Sequence, residues 1–161
     1  MTTKPHVAAI FLAKTKRQPS LRLQRVRAQQ EAGLEGCRHA AKAKPGGRRQ
    51  VLLADVDAVA RMALEPGQLK ENFLIAGLDL GPLVPGQRLA LGAEVQLEVT
   101  MGCVPCQALN DLRPGLMKES WHQRGQLCRV LVGGEVNEGD EVRLLDRNPA
   151  ARKFSYPKAP D

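Results

Sequence analysis

Short runs in which apolar and polar residues alternate, punctuated by Gly and Pro, make up most of the chain. Val7 to Ala13 reads as a first buried strand. Gln18-Pro19-Ser20 signals a turn, after which Leu21, Leu23 and Val26 mark a second strand with Arg22, Gln24 and Arg27 outward. Gly33 to Ala40 (GLEGCRHA) holds two glycines free to take backbone conformations closed to other residues, which predicts a tight loop projecting Arg38 and His39. Lys42 to Arg49, basic and carrying Pro45-Gly46-Gly47, reads as a flexible loop leading to a strand at Gln50 to Leu53.

From Asp55 the period changes. Val56, Val59, Ala60, Ala63 and Leu64 fall on one helical face, with Asp55 as N-cap and Pro66-Gly67 as the stop. Asn72 to Leu80 is extended and apolar, and Arg88 to Leu91 forms a strand. Gly92-Ala93 turns it into Val95 to Val99. Leu116 to Gln123 predicts a short helix ended by Gly125. Arg129 to Val132, a hairpin turn at Gly133-Gly134 and a last strand at Val142 to Leu145 follow. From Asp146 the Pro-containing basic tail is expected to be mobile. Many short strands and few helices predict a mainly β fold, a barrel or a sandwich.

At 161 residues the chain is long enough for one domain with a core that needs no disulfides. Its four cysteines lack the look of a small secreted framework. The apolar run at Val7 to Ala13 is at the short limit for a signal-peptide core, and Lys14, Lys16 and Arg17 stand where a cleavage site would lie. No stretch is long enough to span a membrane, so the expectation is a cytoplasmic protein with no membrane partner. Charge is uneven: residues 1–61 hold 13 Lys/Arg against 4 Asp/Glu, residues 62–161 hold 11 against 13. A basic half suits an anionic partner, although a solvated basic face would look the same. Nucleic acid is not expected, because single-strand binding usually adds stacking aromatics and this half has only Phe11.

The most chemically loaded stretch is Thr100 to Leu116, TMGCVPCQALNDLRPGL. Pro105 cannot donate to a ladder, so the strand from Val95 should end there and leave Cys103 and Cys106 at its mouth. A C-x-x-C of this kind has several readings. Half a zinc site would need further ligands, gathered by folding from Cys37, His39, His122 or Cys128. A thioredoxin-like redox pair would need a helix that Arg113-Pro114-Gly115 soon interrupts. A single exposed thiolate near cations would serve as a sulfur or metal handle, and two small buried side chains would be packing only. Cys37 lies in a loop and either joins the site or does nothing; Cys128 reads as packing and His122 as structural.

Taken in order, these pieces resemble the MOSC domain, the module at the C-terminus of molybdenum cofactor sulfurases and found as small stand-alone bacterial proteins. Gly33-Leu34-Glu35-Gly36-Cys37-Arg38-His39 resembles the family's Gly-Leu-x-Gly-Asp-Arg-His loop, with Cys37 in the place of Asp. Arg49-Gln50-Val51, Glu71-Asn72-Phe73 and Pro85-Gly86-Gln87-Arg88-Leu89 are similar to further family segments. Pro105-Cys106 falls at the signature cysteine, and Gly139-Asp140-Glu141-Val142 at the closing hairpin. The likeness covers residues 6–146, with 147–161 left as a tail.

The resemblance implies a MOSC-type β-barrel that is mainly β with a few helices. It implies Cys106 as sulfur carrier or molybdenum ligand, and Cys103 as a thiol that resolves a persulfide on Cys106. Arg38, His39 and Arg49 would bind the phosphate of the molybdenum cofactor (molybdopterin), and Asn72 its pterin. The implied work is sulfur transfer or the reduction of N-hydroxylated compounds. A cysteine desulfurase would supply sulfur, pyridoxal phosphate belonging to that partner alone, or a redox partner would supply electrons. The alternative is a non-catalytic binding module with a structural zinc at Cys37, Cys103 and Cys106.

Overall fold

The computed structural model describes residues 4–16, 18–42 and 44–161. Eleven strands follow one another: β1 (His6–Leu12), β2 (Leu21–Leu23), β3 (Arg25–Gln29), β4 (Gly33–Leu34), β5 (Val51–Asp55), β6 (Phe73–Ala76), β7 (Arg88–Leu91), β8 (Val95–Gly102), β9 (Gln126–Val132), β10 (Gly134–Asn137) and β11 (Val142–Leu144). Three short helices, α1 (Val56–Arg61), α2 (Leu109–Leu112) and α3 (Leu116–Glu119), and a 3-10 turn at Ala40–Lys42 complete the described elements. The mainly β expectation holds.

Eight strands form one sheet in the order β11-β7-β8-β9-β5-β6-β1-β2, and β10-β3-β4 form a second. Among the described strands only β5 and β6 run parallel, and α1 lies in the crossover between them, as a parallel pair requires. The first edge of the large sheet approaches β1 again through a single bridge, His6 to Glu141, and through Val7 N–H donating to Asp140 O at 2.9 Å. The small sheet contributes Val26, Ala28 and Val136 to a core that contains Ile10, Leu53, Phe73, Leu97 and Val130. A second cluster joins Val59 and Met62 on and beside α1 to Leu74, Leu109 and Leu116. A third holds Leu52, Met101, Cys103 and Leu127, with Phe154 of the C-terminal segment against them.

Three local expectations change. The second strand is two strands in different sheets, β2 and β3, broken at Gln24. α1 begins at the expected cap, where Asp55 Oδ1 accepts from Ala58 N–H at 2.8 Å, but stops at Arg61. There Ala63 takes φ 54° and Leu64 N–H donates back to Val59 O, a left-handed C-terminal cap that ends the helix before Pro66. Gly133-Gly134 does not close a hairpin; it hands the chain from β9 in the large sheet to β10, which pairs with β3. A Cβ on Gly133 would lie 2.7 Å from Ala28 O, so the crossing strand needs glycine there. In the C-terminal segment the Tyr156 hydroxyl donates to Cys103 O on the cysteine loop at 3.3 Å, Trp121 Nε1 donates to Pro157 O at 3.0 Å, and the Tyr156 ring stacks on His122 at 4.2 Å between centroids.

Candidate functional site

The cysteine stretch leaves β8 at Gly102 and is tied to the start of β9 by Cys103 N–H donating to Gly125 O at 2.9 Å. Gly125 has φ 116°, and a side chain there would collide with the Leu53 carbonyl, so the loop before β9 sits flat on β5. This arrangement separates the two thiols. Cys103 is buried, and burial pushes its thiol up, with Arg124 and Arg49 pulling it partly back. Cys106 is exposed, and Arg124 Nη1 donates to its sulfur at 3.5 Å. Cys128 is fully buried in the core, and its thiol is pushed up by burial and by Glu98, which makes it a packing residue as expected.

Cys103 lies on the wall of a cavity of about 240 Å³. Arg38, His39, Arg49 and Asn72, all named from the sequence, line the same cavity. Lys16, Lys70 and Arg124 join them, and among the described residues no Asp or Glu is on the wall. The sequence reading did not single out these three. Their only signal is position, just after β1, before β6 and before β9, where chain ends converge on one rim. Cys106 is not on the wall; it stands beside it through Arg124.

Four buried polar groups hold the wall. Gln50 is 2% exposed; its Oε1 accepts from Val130 N–H at 2.9 Å and its Nε2 donates to Gly47 O, which fixes the loop bearing Arg49. Asn72 accepts from Leu52 N–H at 3.0 Å and donates to Phe11 O at 3.1 Å and to Cys37 Sγ at 3.8 Å. Its amide therefore ties β5, β1 and the glycine loop together while facing the cavity. Glu71 is 1% exposed; Oε2 accepts from Gly67 N–H, Oε1 has no partner, and burial pushes the carboxyl up. Arg124 Nε is also buried without a partner, though Nη2 donates to Leu69 O.

The glycine loop brings Cys37 behind this wall. Arg38 N–H donates to Ala13 O at 2.8 Å and Cys37 N–H to Leu34 O at 3.0 Å, which lock the loop against the end of β1. The Cys37 sulfur is buried, 3.6 Å from His39 Nδ1. Burial alone would raise this thiol, but hydrogen bonds from the His39 side chain and backbone and from Ala13 outweigh it, and it falls from 9.0 to about 7.

Cys37, Cys103 and Cys106 do not gather: among the described residues no group of three or more His, Cys, Asp or Glu is arranged to hold a metal. The zinc alternative has no donor set. A phosphate-bearing group, by contrast, fits the wall, which among the described residues offers five Lys and Arg side chains, His39 and a buried guanidinium N–H without a partner. Among the described residues no helix is long and apolar enough to cross a membrane.

Comparison with solved structures gives the YuaD protein of Bacillus subtilis at 20% identity and a TM-score of 0.70, covering 87% of this chain and 94% of that one. YiiM of Geobacillus stearothermophilus aligns at 18% identity and TM-score 0.68, over 94% and 80% of the two chains. YiiM of Escherichia coli aligns at 19% and 0.65, over 90% and 72%. At such identities the likeness is one of fold. No curated protein matches the sequence significantly. The family model described as the MOSC domain matches residues 46–143, from the loop before β5 into β11, and the chain belongs to the MOSC domain family.

Proposed function

We propose that this protein binds the molybdenum cofactor by its phosphate in the cationic cavity, with Cys106 at the rim as the thiol that meets the metal or carries sulfur. The observation that carries this reading is the wall itself: among the described residues five Lys and Arg side chains and His39 converge on one space with no carboxylate among them. Arg38, His39 and Arg49 hold the phosphate, the arginines through their planar forks. Lys16, Lys70 and Arg124 add to the field. Asn72 faces the pterin while its amide anchors the wall. When bound, the cofactor supplies a metal able to change oxidation state, the chemistry needed to reduce N-hydroxylated compounds with electrons from a redox partner.

A second reading rests on the contrast between the two thiols. Cys106 is exposed beside a guanidinium, which suits a sulfur carrier fed by a cysteine desulfurase, while burial raises the Cys103 thiol, which must lose its proton before it can act. The Cys106 thiolate would attack the outer sulfur of a donor persulfide, forming a new S–S bond and releasing the donor thiolate. Attack by deprotonated Cys103 on the Cys106 sulfur would then form a Cys103–Cys106 disulfide and expel the outer sulfur as hydrosulfide.

Elemental analysis and pterin fluorescence of protein purified without air separate the two. Stoichiometric molybdenum and pterin, with metal lost in Cys106→Ala and pterin lost in Arg38→Ala/Arg49→Ala, is the expected result. A persulfide on Cys106 with neither metal nor pterin in protein incubated with the free cofactor would favour the carrier. Zinc that survives Cys106→Ala would overturn both.

A further inference from the structure

His39 stands on the cavity wall among cations from every neighbouring element. Arg38 is beside it on the same loop, and Lys16 after β1, Arg49 before β5, Lys70 before β6 and Arg124 before β9 face the same space. Lys42, Lys44 and Arg48 line an adjoining depression that shares His39 and Arg49. Positive charge on its imidazole would be opposed by all of these. Among the described residues no carboxylate lines either space. The group against the ring is sulfur: Cys37 Sγ lies 3.6 Å from Nδ1, and Asn72 Nδ2 donates to the same sulfur at 3.8 Å. With Nδ1 protonated, this buried sulfur takes two donors, the setting of an anion.

We infer that Cys37 is the counter-ion of His39: a buried thiolate–imidazolium pair that holds the ring with Nδ1–H on the sulfur and keeps Nε2–H as a donor to a phosphate in the cavity. Cys37 is thereby a positioning residue. It does not line the cavity and touches no ligand; it fixes the charge and orientation of the residue that does. Its lowered thiol is consistent with this geometry. The anion half of the inference rests on the cavity reading made above; the pair itself does not.

Ring nitrogen shifts of His39, read by NMR in the full chain at pH 7.5, test the pair without any cofactor. Both nitrogens should be protonated in the unaltered protein. Cys37→Ser, close to isosteric but unable to carry charge at this pH, should return the ring to a neutral tautomer, and Cys37→Asp should restore the imidazolium. A neutral ring in the unaltered protein, or the same ring state in Cys37→Ser, would overturn the pair. Titration with inorganic phosphate tests the second half: affinity should fall about tenfold in Cys37→Ser, the loss of one charge-assisted hydrogen bond, and recover in Cys37→Asp. Equal phosphate affinity in all three would overturn the donor role. Failure of phosphate to bind even the unaltered protein would overturn the cavity reading and the donor role, leaving the ring shifts to judge the pair.

Discussion

Two groups of charges in this molecule are built on opposite plans. On the face of β7, β8 and β9, Glu98 is 4% exposed and sits between Arg88 and Arg129, its register neighbours on either side. Arg88 Nε lies 3.1 Å from Oε2 and Arg129 Nε 3.3 Å from Oε1, while Arg129 Nη1 reaches Glu31 at 2.8 Å. Each charge there is answered by a side chain of the protein. Around the cavity, Lys16, Arg38, His39, Arg49, Lys70 and Arg124 form no ion pair with Asp or Glu among the described residues. The first network is complete in itself and holds strands in register. The second is left incomplete, and incompleteness at a concave surface is what a ligand of opposite charge fills.

Breaking the complete network should have the largest effect on stability. Glu98→Gln removes the anion that Arg88 on β7 and Arg129 on β9 share across β8, and leaves both guanidinium groups without it. A loss of about 3 kcal/mol is expected, the scale for removing one partner of a buried pair. Urea denaturation in phosphate-free buffer measures it. A loss near zero would mean that the arginines find solvent at no cost, and the contrast between the two groups would weaken.

The next effect is on the cavity side, where Cys37 is the candidate anion. Its thiol is about 7 in the folded chain and 9.0 when unfolded, so the folded state holds fewer protons between those values. The contribution is absent below pH 7, grows as pH rises towards 9, and reaches roughly 2–3 kcal/mol above it. Unfolding curves at pH 6.5, 8 and 9.5 should therefore show the unaltered protein gaining on Cys37→Ser across that range. Parallel curves would place the thiol at its ordinary value and leave Cys37 without charge beside His39.

How far the sequence could anticipate this contrast depends on what each feature is made of. Strands and the Asp55 cap are written in local periodicity and single side chains, so β1, β5, β7 and the start of α1 were legible. Arg38, His39, Arg49, Asn72 and Cys103 were legible as a set only through their resemblance to a family pattern, and they do line one cavity. Lys16, Lys70 and Arg124 belong to no local pattern. Chain ends from β1, β6 and β9 bring them together, and that convergence is a property of sheet order. The two-sheet split at Gln24 and the crossing at Gly133-Gly134 were missed for the same reason: the partner that selects them, β3 or β10, is more than a hundred residues away in sequence. The fate of Cys37 was open because its meaning depends on His39 and on Asn72, which is 35 positions further on.

The smallest expected change in stability is the sharpest test of the comparison. Arg49 is exposed at the cavity wall with no carboxylate partner among the described residues, and other cations share its space. Arg49→Ala should shift stability by no more than about 0.5 kcal/mol, and in the stabilising direction, because it relieves like-charge repulsion and breaks no pair. Ligand linkage then separates an unused charge from a reserved one. Added inorganic phosphate should raise the unfolding midpoint of the unaltered protein, since it binds the folded state alone, and raise that of Arg49→Ala by less. A substitution that leaves stability alone and weakens only the response to phosphate identifies a charge kept for something outside the chain. One that costs as much as Glu98→Gln would make Arg49 a structural charge, and the two groups would be built on the same plan after all.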